Sequence, residues 1–212
     1  MDFVTAERQR LIGTFERVGA DADTLCKGWD AEDLLRHMVL RELFPHHGLF
    51  SKLPLKAADK SREHIDDIDT ADYETLLETF KTGRHRLSPL QFGPVDRAMN
   101  TLEYVIHHED LRRAQDPRLG RVLTPEEQGI IFSHLKAMAQ MLFLKAPVQV
   151  ILHSPEFGEF TAFATKRHKE TVTLEGPPLE LALYSFGRNR ADIELKGEPE
   201  AIRKFEGVDR SA

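Results

Sequence analysis

Apolar residues recur at helical spacing from the start of the chain: Phe3, Val4, Leu11, Ile12, Phe15 and Val18 lie near one face of a 3.6-residue period, with charged residues between them. This pattern predicts a first helix over Phe3 to Val18. After a loop from Gly19 to Gly28, Asp30 is placed to cap a second helix, whose first turn carries Glu32 and Asp33 and which runs to about Phe44. Pro45, Gly48 and Pro54 interrupt the chain, and Lys56 to Ile65 and Tyr73 to His85 read as polar-faced helices across an irregular link. Pro89, Gly93 and Pro94 punctuate again before a long helix from Val95 to Ala114, and Pro125 opens another through Leu144.

Past Ala146 the period changes from helical to two. Val148, Val150 and Leu152 point one way, and Phe160, Ala162 and Ala164 follow the turn at Ser154 to Gly158, which predicts a hairpin. Thr171 to Leu174 reads as a third strand, Leu179 to Phe186 as a helix behind Pro177 and Pro178, Ala191 to Leu195 as a fourth strand, and Glu200 to Phe205 as a closing helix. The expected fold class is α+β, with a helical domain over residues 1–145 and a small C-terminal α/β domain over residues 146–212. No internal repeat or low-complexity tract interrupts this plan.

Composition narrows the function classes. The 35 acidic and 29 basic residues give a net charge of -6, spread without a block of either sign, so nucleic acid is not an expected partner. No apolar run of about 20 residues exists to span a bilayer, and the N-terminus lacks the basic-then-apolar pattern of a secretory signal. A cytoplasmic protein with no membrane partner is expected. The single cysteine, Cys26, excludes an internal disulfide and fits a reducing compartment.

The densest chemistry lies in Asn100 to Arg113, NTLEYVIHHEDLRR, where Glu103 and His107 sit four residues apart and share a helix face. A carboxylate and an imidazole suit zinc, and a catalytic zinc needs a third protein ligand while keeping one position open. His37, inside GWDAEDLLRHMVLRE and flanked by Leu34, Leu35, Met38 and Leu40, is the candidate for that third ligand. Each feature alone also has a structural reading: His37 as a core histidine bonded to a carbonyl, and Glu103 with His107 as a surface pair. Asp110, on the face of His107, either orients a ligand imidazole or pairs with Arg112 or Arg113. Glu109 is expected to face solvent. His108, rotated about 100° from His107, is expected to pack or be solvated. His46 and His47 read as loop histidines, and Cys26 as a small hydrophobe rather than a ligand or nucleophile.

Gly28-Trp29 through Asp33-Leu34-x-x-His37, followed by Glu103-x-x-x-His107-x-x-Asp110-Leu111, resembles the mycothiol-dependent maleylpyruvate isomerase family of the DinB-like superfamily, and more closely a metal-binding branch of it. The resemblance covers nearly the whole chain. It implies a DinB-like up-down four-helix bundle to about residue 145, a small appended C-terminal domain, and a metal triad of His37, Glu103 and His107. Gly187-Arg188 resembles a Gly-Arg at the corresponding helix end of related isomerases, which makes Arg188 a candidate to clamp a carboxylate of thiol or substrate. Its alternative is a C-cap glycine followed by a surface arginine.

The resemblance further implies zinc or another divalent metal, mycothiol as thiol cosubstrate and a small electrophilic substrate, with Asp110 and Arg188 assisting. In isomerisation a thiolate adds to an activated double bond, the new single bond rotates and the thiolate leaves; in S-transfer it stays attached. Two other classes stay open: a metal-dependent hydrolase with Asp110 or Glu109 as base, and a non-enzymatic metal- or ligand-binding module. Substrate and oligomeric state are not specified by the sequence.

Overall fold

The computed structural model describes residues 2–43, 65–82, 94–116, 121–164 and 169–208, with side chains of the long central helix from Ala98 onward. The expected helix at Lys56, together with His46, His47, His64, His85 and His168, lies outside these residues. The fold is α+β, helices with one four-stranded sheet. Its elements are α1 (Phe3–Val18), α2 (Ala31–Leu43), α3 (Tyr73–Thr82), α4 (Pro94–Gln115), α5 (Pro125–Leu142), β1 (Gln149–Ser154), β2 (Gly158–Phe163), β3 (Thr171–Glu175), α6 (Pro178–Ser185), β4 (Glu194–Gly197) and α7 (Pro199–Glu206). Residues 65–70 form one further short helical stretch. The chain divides into two compact units, residues 1–90 with 107–120 and residues 91–106 with 121–212, the division passing through the continuous α4. Among the described residues no helix is long and apolar enough to cross a membrane.

In the first unit α1 starts where Asp2 accepts a hydrogen bond from the Thr5 amide at 2.8 Å, and α2 where Asp30 accepts from the Asp33 amide at 2.9 Å. Each satisfies a donor that a helix start leaves unpaired. Leu11, Ile12 and Phe15 of α1, Leu34, Leu35, Met38 and Val39 of α2, and Tyr73, Leu76, Leu77 and Phe80 of α3 are buried together, with Phe15 and Phe80 meeting edge to face at 6.2 Å. Arg8 crosses this core. Its guanidinium pairs with Glu42 of α2 at 2.6 and 2.9 Å, donates to the Phe80 carbonyl and lies over the Phe80 ring. One side chain therefore fixes three helices, and its planar fork satisfies what would otherwise be a buried charge.

In the second unit the sheet order is β2-β1-β3-β4. β1 and β2 pair antiparallel across the predicted hairpin, β1 and β3 pair parallel, and β3 and β4 pair antiparallel. Val150, Leu152, Val172 and Leu174 point to the same buried side, as strand alternation requires. Helix α5 opens with a capping box between Thr124 and Glu127, and its Phe132 packs on Phe160 of β2 at 5.2 Å. Phe205 of α7 closes the core against Phe143 and Tyr184.

The fourth strand lies further along than expected, over Glu194–Gly197 rather than Ala191 to Leu195. Its partner β3 ends at Glu175, opposite Glu194, and the Asp192 amide donates instead to Glu180 at 2.9 Å, so the residues before Glu194 have no strand to pair with. The stop of β3 sets the start of β4.

Tyr73 supplies a pH-sensitive bond in the first unit. Its hydroxyl donates to the Phe15 carbonyl at 2.7 Å, and burial, reinforced by Glu74 and Glu32, pushes the phenol up to about 12. The folded chain thus keeps a proton that the unfolded chain loses near its ordinary value of about 10. The stability it contributes is complete below about pH 10 and is lost as pH rises toward about 12. Denaturant midpoints should fall over that interval, and Tyr73→Phe should make the decline shallower; equal declines in the two proteins would contradict the assignment.

Candidate metal centre

The loop between α1 and α2 is held against the C-terminal half of α4 by backbone. The Leu25 amide donates to the Asp110 carbonyl at 3.1 Å, and the Gln115 side chain donates to the Asp23 carbonyl at 2.7 Å. Within the loop, Thr24 accepts from the Cys26 amide at 3.1 Å and donates to the Trp29 carbonyl at 2.8 Å. These bonds place Cys26 beside α4. The Trp29 ring lies 5.2 Å from the ring of His37 on α2, and His37 meets the ring of His107 edge-on at 5.1 Å.

His37, Glu103 and His107 each present a ligand atom within 4.8 Å of the other two. His107 is buried, while His37 and Glu103 are partly accessible. Asp110 is fully buried one turn after His107 and takes the ring Nδ1–H of His107 on Oδ2 at 3.0 Å. The same oxygen accepts from the Cys26 thiol at 3.2 Å, and the sulfur lies 3.8 Å from His107 Nδ1. Cys26, His107 and Asp110 therefore form a second group of converging ligand atoms. The sequence offers no spacing signal for Cys26, because a fold of the loop brings it there.

Of the residues that follow His107, Glu109 differs from expectation, and His108 packs, the first of its two expected readings. Glu109 is fully buried rather than solvent-facing, and it takes both of the arginines that the sequence also offers to Asp110: Arg112 at 2.8 Å and Arg113 at 2.7 Å. One residue of rotation, about 100°, separates the two carboxylates and gives them different neighbours. His108 is buried in a polar network, donating from Nδ1 to Glu7 at 2.7 Å while Nε2 meets the Thr14 hydroxyl at 3.0 Å. Glu7 is also fully buried and pairs with Arg10 at 3.2 Å.

Arg188 follows the end of α6. Gly187, at φ 82°, donates to the Tyr184 carbonyl at 3.0 Å, the Arg188 amide donates to the Leu183 carbonyl at 3.0 Å, and the Arg188 guanidinium donates to the Phe186 carbonyl at 2.6 Å. This is a Schellman cap, whose left-handed position suits glycine.

No family model matches the sequence, and no curated protein matches it. Two solved structures share its fold. The mycothiol-dependent maleylpyruvate isomerase superposes with a TM-score of 0.57 at 17% identity, over 92% of this chain and 91% of that one. A histidine-to-alanine variant of that isomerase gives a TM-score of 0.57 at 16% identity over the same shares. The likeness is one of fold across nearly the full length of both chains.

The buried His108 network generates a stability prediction. Glu7→Ala leaves the Nδ1–H of a buried imidazole without its acceptor and should destabilise the protein by roughly 1–3 kcal/mol, measured by urea unfolding. A change within about 0.5 kcal/mol, as at an ordinary surface position, would contradict it.

Proposed function

We propose that the chain is a metal-dependent thiol enzyme, an isomerase or S-transferase acting on a small electrophile with mycothiol or a similar small thiol as cosubstrate, in a metal-binding branch of the maleylpyruvate isomerase-like proteins. The observation that carries the reading is the convergence of His37, Glu103 and His107. Two imidazoles and one carboxylate fit a catalytic zinc, which takes three protein ligands and keeps a position for an exchangeable group. When bound, the ion supplies positive charge that lowers the pKa of a coordinated thiol into the range where it is a thiolate at neutral pH. The shared fold with a mycothiol-dependent isomerase supports thiol rather than water as that exchangeable group.

The chain's own residues have distinct tasks in this reading. Asp110 accepts from His107 Nδ1–H, which fixes the tautomer and leaves the other ring nitrogen, Nε2, as the one that would hold the ion. Trp29 forms an aromatic wall over His37. Arg188 is proposed as a carboxylate clamp; engaging a ligand would draw its guanidinium from the Phe186 carbonyl. Glu109, occupied by two arginines, is a poor general base, which weighs against one of the two bases the hydrolase alternative offers.

Elemental analysis of the purified protein should find about one zinc or other divalent ion per chain. The variants His37→Ala, Glu103→Ala and His107→Ala should each lose it while keeping their helical circular dichroism. Unchanged metal content in His107→Ala refutes the triad. Zinc-loaded protein that takes up no mycothiol in calorimetric titration sinks the thiol chemistry and leaves a metal-binding module.

A further inference from the structure

We propose that Cys26, Asp110 and Nδ1 of His107 form a second metal-binding set, selective for a soft thiophilic divalent ion, and that this set and the His37, Glu103 and His107 set exclude each other through their shared imidazole. The three ligand atoms lie 3.0, 3.2 and 3.8 Å apart. A triangle of those edges has a point roughly 2 Å from every corner, close to the bond lengths of zinc to nitrogen and oxygen and slightly inside its bond to sulfur. Ligand chemistry separates the two sets. A thiolate favours soft ions, whereas imidazoles with a carboxylate suit borderline ones.

The geometry is already assembled around protons. The Cys26 thiol and the His107 Nδ1–H both donate to Asp110 Oδ2. On binding, the ion forms bonds to sulfur, oxygen and Nδ1; the thiol proton leaves to solvent and the ring proton moves to Nε2. Charge and atoms balance, with no electron transferred. A neutral imidazole carries one proton and ligates through one nitrogen at a time. A soft ion on Nδ1 therefore leaves Nε2 protonated and removes His107 from the other set. The exclusion rests on the reading proposed above, but the Cys26 set itself does not.

Cadmium is the probe, because the chain has a single cysteine and any ultraviolet thiolate-to-cadmium charge-transfer band reports Cys26 alone. The band should saturate at about one ion per chain in the parent protein and persist in His37→Ala and Glu103→Gln, both at partly accessible positions. It should vanish in Cys26→Ser and require on the order of tenfold more cadmium in Asp110→Asn. Absence of the band in the parent protein overturns the proposal. So does a band lost in Glu103→Gln and kept in Asp110→Asn, which would assign Cys26 to the other set. Adding cadmium to zinc-loaded protein should expel zinc, and chains retaining both ions overturn the exclusion. If the triad reading fails, His37→Ala keeps its zinc; that result leaves the cadmium band intact, so the two failures are distinguishable.

Discussion

The direction in which the C-terminal half of α4 faces depends on the buried contact of His108 with Glu7 and Thr14. Adjacent residues on a helix diverge by about 100°, so once His108 is locked against α1, His107 has one direction left and it faces α2. Both ring nitrogens of His108 are engaged at positions almost closed to water. A small rotation of the helix would strand an imidazole and a carboxylate in a medium that solvates neither. The interaction therefore acts as an angular stop on the residues next to it, beyond anything it contributes to stability.

Asp110 joins that helix to the loop before α2 in two ways. Its carbonyl receives the Leu25 amide, and its carboxylate receives both the imidazole of His107 and the thiol of Cys26. Backbone and side chain thus bind the same stretch of loop, which fixes residues that no helix or strand carries. The neighbouring Glu109 points into a different environment and gathers Arg112 and Arg113. Two consecutive carboxylates serve as a hydrogen-bond hub and an ion-pair anchor, separated only by helical rotation.

Local signals were the legible part of the sequence. Asp30 and Pro125 marked helix starts, and the change to a two-residue period after Ala146 marked the passage into the β1–β2 hairpin. β4 was displaced because strand limits depend on the partner, and nothing in Ala191 to Leu195 records that β3 stops at Glu175. In the candidate site, Glu103 and His107 could be paired by spacing because one helix carries both. Cys26 could not, since its approach to Asp110 and His107 is a property of loop closure over more than 80 positions of sequence. Glu109 is buried although it stands in a run of charged residues, because helical phase depends on which face the rest of the fold covers.

The loop from Gly19 to Asp30 lends the site Trp29, a large apolar surface standing over His37, while the residues that hold α1, α2 and α3 together lie elsewhere. Trp29 is itself 39% exposed and belongs to no helix core. Mutations there change the shape and polarity of what approaches the imidazoles without drawing on the packing that keeps the chain folded. Such an arrangement separates two selective pressures: the helices and their imidazoles can be retained while the surface beside His37 diverges through a few loop substitutions, without loss of the fold.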